Sequence, residues 1–421
     1  MTTGNEATAA GDEALGPAAA TAQIRASGLS APLALLFAFA SGLAVANVYF
    51  AHPLLDRMAE DFAIGHGAIG LVMTATQIGY GLGLMLIVPL GDLLDRRRMI
   101  VSQTAASAAV LLMVATARTS AVFFVALAVM GLLAVVTQAL VAYAAGLARP
   151  EERGKAVGTV TSGIVIGILL ARTASGTIAD LAGWRAVYLV SAGLTLAVAL
   201  MLARALPRDE RPAAASSYPA LIRSMARLFV EMPVLRIRAT LAMLIFAAIV
   251  TLLTPLVLPL SAPPFSLSHT EIGLFGLAGA AGALGASRAG AWADRGLAQR
   301  VTLIGLALML VAWLPIGLLQ VSLLGPIVGV VIIDFGLQAV HVTNQAMIYA
   351  ERPEARSRLT AGYMIFYSIG SAGGSIASTL TYDRFGWTGV TLLGAAISAT
   401  ALVFWAATRR LTPARPARPV P

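Results

Sequence analysis

"DLAGW", residues 180 to 184, stands between two long apolar runs and returns as "DRFGW" at residues 383 to 387. "RPEER" at 149 to 153 returns as "RPEAR" at 352 to 356, and both pairs are offset by 203 residues. A third pair, "GDLLDR" at 91 to 96 and "GAWADR" at 290 to 295, is offset by 199, which requires only a small length difference between the copies. The chain is therefore one unit written twice in the same orientation, and the fold has to be built from two copies of it.

Composition says what the unit is made of. Charged residues are 12% of the chain, 58% is hydrophobic and the mean hydropathy is +0.83. Soluble domains carry roughly a quarter charged residues, so this is a membrane protein. A membrane-spanning helix needs about 20 apolar residues. Twelve segments meet that length: 33–55, 67–90, 99–118, 120–148, 155–180, 184–204, 236–258, 270–289, 301–320, 323–350, 358–382 and 387–407, here spans 1 to 12. The absence of cysteine excludes disulfides, thiolate metal sites and cysteine catalysis.

The arginines sort the connecting loops. Arg96 to Arg98 follow span 2, Arg149, Arg153 and Lys155 follow span 4, and Arg204, Arg208, Arg211, Arg223, Arg227, Arg236 and Arg238 follow span 6. Arg295 and Arg300 follow span 8, Arg352, Arg356 and Arg358 follow span 10, and Arg409, Arg410, Arg415 and Arg418 end the chain. The alternate loops hold only Arg57, Arg118, Arg185 and Arg384. Positive loops stay on the cytoplasmic side, so both termini are expected there, in a multi-pass protein of the inner (plasma) membrane. The net charge of +9 is then topology and lipid-headgroup contact, with no nucleic-acid partner expected.

The expected organisation has a disordered tail (1–30), a six-span bundle (31–204), a linker (205–235), a second six-span bundle (236–408) and a basic tail (409–421). The tail at the start has no basic opening and no apolar stretch before Leu33, unlike a cleaved signal peptide. In the linker, Leu221, Met225, Leu228 and Met232 share a helical face, which reads as an amphipathic helix at the membrane interface or as a solvated tether with a few buried side chains. Parallel repeats about a central linker suit a transporter in which two bundles flank a midplane site.

On these residues the chain resembles the major facilitator superfamily, and within it the twelve-helix bacterial drug-efflux-like branch. The family writes the loop after span 2 as Gly-x-Leu-x-Asp-Arg-x-Gly-Arg-Arg. Here it runs Gly91, Asp92, Leu93, Leu94, Asp95, Arg96, shortened and without the second Gly, and Gly290, Asp294 and Arg295 repeat it. The resemblance implies that this loop latches the two halves on the cytoplasmic side. Span 5 offers Gly158, Gly167, Ala171, Arg172, Ser175 and Gly176 at the spacing of the antiporter motif, but with Arg172 where the family has Pro. Arg172 lies about 27 Å from Gly154, toward the outer leaflet, where it either snorkels to headgroups or serves as a gate or substrate-charge residue. Span 4 lacks the Arg of the proton-linked motif: Leu127 and Met130 precede Gly131. Proton coupling by that residue therefore does not carry over.

Span 10 contains "VIIDFGLQAVHVTNQA", residues 331 to 346. Spacings of four, three and four place Asp334, Gln338, His341 and Gln345 on one helical face. Asp334 falls about 16 Å along the span, near the bilayer middle, and is read as a substrate-cation or proton site or as a structural partner of an unseen donor. The family resemblance implies that spans 1, 4, 7 and 10 line the cavity. Gln138, the counterpart of His341 at the 203 offset, Asn47 and Gln77 are further candidates; for Asn47 and Gln77 interhelical hydrogen bonding is the other reading.

There is no His-Glu-x-x-His, and the four histidines His52, His66, His269 and His341 are scattered over different spans or loops. Neither an enzyme nor, without a phosphate loop, an ATP-driven pump is expected. The reading is a monomeric secondary transporter without cofactor, moving a small amphipathic or drug-like molecule outward by proton coupling, with uptake or facilitated transport of a metabolite as the alternative.

Overall fold

The protein is described by a computed structural model covering residues 29–207, 217–285, 292–352 and 355–412. Most of both tails, Gly290, the middle of the linker and part of "RPEAR" lie outside the described residues. Ten helices are long and apolar enough to cross a membrane, and the last, Arg356–Leu411, bends at Gly386 and holds spans 11 and 12. The helix His269–Gly285 opens span 8. All twelve expected spans are thus present as helices, and the chain is an all-α membrane protein of two six-helix bundles.

The "DLAGW" repeat has a structural reason. Gly183 and Gly386 adopt φ of 83° and 61°, a region that favours glycine, and turn the chain between spans 5 and 6 and between spans 11 and 12. The tryptophan after each glycine is buried and anchors the new helix: Trp184 Nε1 donates to Asp61 at 2.7 Å, and Trp387 Nε1 to the Ile316 carbonyl at 2.9 Å.

Packing repeats as well. Span 5 lies on span 1 where Gly163 and Gly167 meet the backbone of Ala38 and Gly42, and span 11 lies on span 7 where Gly370 and Gly374 meet that of Met243 and Ala247. A Cβ at any of these glycines would collide with backbone. Lipid tails are as apolar as leucine, so close backbone approach through small residues is what makes such helices associate. Across the halves, span 5 packs on span 8 and span 2 on span 11. The second seam runs from Thr379 Oγ1 to the Gly67 carbonyl (3.0 Å), through Ser375 Oγ to that of Gly70 (2.9 Å), to Thr74 Oγ1 donating to that of Ala372 (3.0 Å). These contacts occupy the half of the molecule nearer the arginine-poor face. Toward the arginine-rich face, Gly154 and Gly158 of span 5 have nothing opposite them among the described residues.

The linker and the residues after span 12 are tied to the second half. The linker helix Tyr218–Glu231 buries its apolar side there: Leu228 and Met232 join a core with Leu235, Ile348, Leu359 and Tyr363, and Phe229 stacks on Phe366 at 5.4 Å. Its first residue reaches the other half, Tyr218 Oη donating to the Leu86 carbonyl at 2.8 Å. The start of the expected basic tail is held as well. Arg409–Leu411 form a 3-10 turn, and Thr412, 1% exposed, accepts a hydrogen bond from Arg238 at 3.0 Å. The physical reason is Arg238, fully buried three residues beyond the counted loop end at Leu235, whose guanidinium takes oxygens from Thr302 and Asn344 (both 3.3 Å) as well as from Thr412. A buried cation must be solvated by protein, and Thr412 supplies one of the oxygens.

Candidate functional site: a charged pair between the halves

Asp334 stands ten residues after Leu324, the first residue of its helix, and Arg172 ten residues before Ala182, the last of its own. The two helices run in opposite directions, so both side chains lie about 15 Å from the arginine-poor end, at one depth. Both counts put Arg172 in the arginine-poor half of the helix Arg153–Ala182, which at 30 residues, about 45 Å, is longer than a hydrocarbon core of about 30 Å. Arg172 does not snorkel. Its guanidinium lies over the Tyr49 ring, 5.7 Å from the centroid, and within electrostatic reach of Asp334.

Span 8 makes room for the pair. Gly273, Gly276 and Gly279 follow one another at intervals of three along one helix face. Gly273 packs on the Arg172 backbone, a Cβ on Gly276 would stand 2.9 Å from Arg172 Cδ, and a Cβ on Gly279 would overlap the Asp334 carboxylate. Three helices from the two halves therefore meet at one cation and one anion. Arg172 Nε has no hydrogen-bond partner among the described residues.

Aromatic side chains complete the surroundings. Tyr49 and Tyr367 hydroxyls are 3.1 Å apart across the halves, Gln77 Nε2 donates to the Tyr367 hydroxyl at 3.5 Å, and Tyr80 and Phe246 contact the Tyr367 ring edge-to-face at 6.2 and 4.3 Å. Gln138 borders a narrow crevice with Gly91, Arg96 and Ser357. His341 Nδ1 is 2.9 Å from the Tyr363 hydroxyl, the arrangement of a satisfied histidine. It remains half-open, as do Asp334, Gln338 and Gln345 along the same face.

Asn47 is not at this site. It is buried inside the first bundle, accepts a 2.5 Å hydrogen bond from Ser191, and borders a small crevice among spans 1, 3, 4 and 6. The tyrosines carried no sequence signal, because a tyrosine in an apolar run reads equally as core or as membrane-interface residue.

In the loop after span 2, Asp95 caps the helix Arg96–Thr116, accepting from Arg98 N at 3.1 Å, and Arg96 Nε donates to the Gly91 carbonyl at 3.2 Å. Arg97 reaches the Ala203 carbonyl of the same half at 2.5 Å. In the second copy Arg295 is exposed beside Gly296, whose φ is 82°; the side chains of Asp92 and Asp294 lie outside the described residues. The substitution Asp95→Asn preserves the cap, since Asn caps as well as Asp, and removes only the charge. It is expected to express normally and to slow transport if the charge serves the latch, whereas Asp95→Ala should also cost about 1 kcal/mol of stability. Unaltered turnover, with unaltered cross-linking between cysteines introduced on the two halves, would reduce Asp95 to a helix cap.

A bilayer-spanning pair of bundles with a charged site at their seam is a membrane transporter and not an enzyme. The Major Facilitator Superfamily profile matches residues 35–351 and 240–421, and the chain belongs to that family. It is 46% identical over 377 residues to a protein described as an uncharacterized transporter, YgaY, of Escherichia coli O157:H7, covering 90% of this chain and 95% of that one. It is 31% identical over 408 residues to the probable transporter SCO4007 of Streptomyces coelicolor, covering 93% and 90%. Among solved structures, a bacterial homolog of the human lysosomal transporter Spinster, inward-facing and unoccupied, superposes with a TM-score of 0.72 at 14% identity, covering 92% of this chain and 98% of that one. The nucleoside transporter NupG, in a mutant form, superposes with a TM-score of 0.68 at 15% identity, covering 89% and 99%.

Proposed function

We propose that the chain is a proton-coupled secondary transporter that exports small amphipathic or drug-like compounds across the inner (plasma) membrane by alternating access. The single observation that carries the reading is the Arg172–Asp334 pair, held at one depth between opposing halves. A carboxylate there can be neutralised by its arginine, by a proton or by a substrate cation, and exchange among the three couples substrate to proton movement. The working units are the bundles 31–204 and 236–408, rocking about the linker 205–235 in a monomer. Gln77, Gln138, Gln338, His341 and Gln345 supply polar contacts to substrate, and the loops at Gly91–Arg96 and Gly290–Arg295 hold the cytoplasmic side closed in the opposite state.

Uptake or facilitated movement of a metabolite is the second reading, favoured by Arg172: with a cation beside the acid, the site is suited to polar or zwitterionic molecules as well as to lipophilic cations. The deciding experiment is a substrate panel in a strain stripped of other efflux systems, with movement followed in both directions. Net accumulation inside would replace export by uptake, and no movement of any compound would sink both.

By the arginine sorting, the termini and the loops after even-numbered spans are cytoplasmic. A reporter fused after Arg356 is expected to read cytoplasmic and one fused near Ser266 periplasmic. The opposite pair of signals would invert the orientation.

A further inference from the structure

At the arginine-poor face, a cleft of about 830 Å³ is bordered by the ends of spans 1, 5 and 7, the start of span 8 and Tyr382. His269, the residue before the 270–289 span, is 8% exposed at its wall. Its Nδ1 is 2.8 Å from Asp180 Oδ1, and its Nε2 is 3.2 Å from both oxygens of Asp56. A neutral imidazole has one N–H to donate, and only imidazolium donates from both nitrogens. With carboxylates on both sides, this geometry is built for the charged ring. Asp180 also accepts from the backbone N–H groups of His269 (3.2 Å) and Thr270 (2.8 Å) and from the Thr270 hydroxyl (2.6 Å). An acid of the first half thus caps the first turn of a helix of the second.

The other charged groups of the cleft are engaged elsewhere. Arg57 pairs with Glu60 at 3.1 Å, and Glu271 accepts from Ser268 N and Oγ at 2.8 and 3.0 Å. Asp61, nearby at the end of span 1, is bound by Trp184 and Arg185. Tyr382 and the exposed His66 complete the lining. The 203-residue repeat relates His269 to His66 and Asp180 to Asp383, and Asp383 does lie against the turn His66–Ala68, beside Gly67. The two faces of the pseudo-twofold are therefore built alike, but the buried ring with an acid on each side is found at His269.

We propose that His269 is the proton-binding residue of an outer gate: the imidazolium clamped between Asp56 and Asp180 holds the two halves together at this face, and loss of its proton releases them. The proposal rests on the alternating-access reading above. The hydrogen bond and charge of Asp56, then those of Asp180, raise the His269 pKa above its ordinary 6.5, outweighing the opposing effect of burial. In a released gate the ring faces water and returns toward 6.5. The clamped state therefore binds the proton more tightly. Its stabilisation is complete below about 6.5 and is lost as pH rises through the raised value.

The chain has no native cysteine, so spin labels at Leu181→Cys, on the exposed end of span 5, and Ala262→Cys, on the other half, report the gap directly. In lipid nanodiscs, without substrate, the short-distance population is expected to shrink as pH is raised from about 6.5 to about 9. His269→Gln should flatten that response, Asp56→Asn should move its midpoint to lower pH, and His66→Gln should leave it unchanged. A flat wild-type response, an undiminished response in His269→Gln, or loss of the response in His66→Gln would overturn the proposal. A pH-dependent gap in a chain that moves no compound of the panel would uphold the clamp while sinking the transport reading.

Discussion

Asp334→Asn is expected to reduce substrate movement driven by an imposed pH gradient to background in reconstituted vesicles, while counterflow of substrate down its own gradient continues. Asparagine keeps the shape of the side chain and its fit beneath Gly279, so the bundle contact between spans 8 and 10 survives. What disappears is the group able to trade a proton for substrate or for Arg172. An uncoupled carrier still alternates, which is why counterflow is the companion measurement. Uphill movement at the wild-type rate would make the acid a structural partner of Arg172 and place any coupling ion elsewhere.

Arg172→Leu should fail differently. The guanidinium stands beside Asp334 and can bind an acceptor on the substrate, and charge-assisted hydrogen bonds are worth about 1.5–3 kcal/mol, or roughly ten- to hundred-fold in affinity. KM for a transported compound with an anionic or zwitterionic group is expected to rise by about that factor, with the proton-to-substrate ratio unchanged. The change also leaves Asp334 without its cation, so the double variant with Asp334→Asn should express better than Arg172→Leu alone, the non-additivity of residues in contact. A KM equal to wild type would confine Arg172 to packing against Tyr49 and Gly276.

The architecture was legible because its signals are long: twelve apolar runs, a periodic arginine bias, and a repeat whose glycines and tryptophans recur for a conformational reason at Gly183–Trp184 and Gly386–Trp387. Asp334 was legible because an acid inside an apolar run is costly wherever it points. Arg172 was legible as a charge inside an apolar run, but its level with Asp334 was not, since residue counting locates a side chain along one helix and not that helix against another. Asn47 and Arg238 show the same boundary. A polar residue within a span must face protein, yet which neighbours receive it depends on packing between segments distant in sequence. Tyr49 and Tyr367, 318 residues apart, meet through tertiary structure that no local pattern encodes.

The three glycines of span 8 also turn the site into something that can be searched for in genomes. Arg172 and Asp334 occupy volume that side chains at Gly276 and Gly279 would otherwise fill, so the four positions are under a joint constraint: a relative that enlarges either glycine has to shorten or lose the charged group facing it. The combination is a fingerprint independent of substrate. Relatives that carry all four are expected to share the packing of span 8 on spans 5 and 10, whatever compound they move.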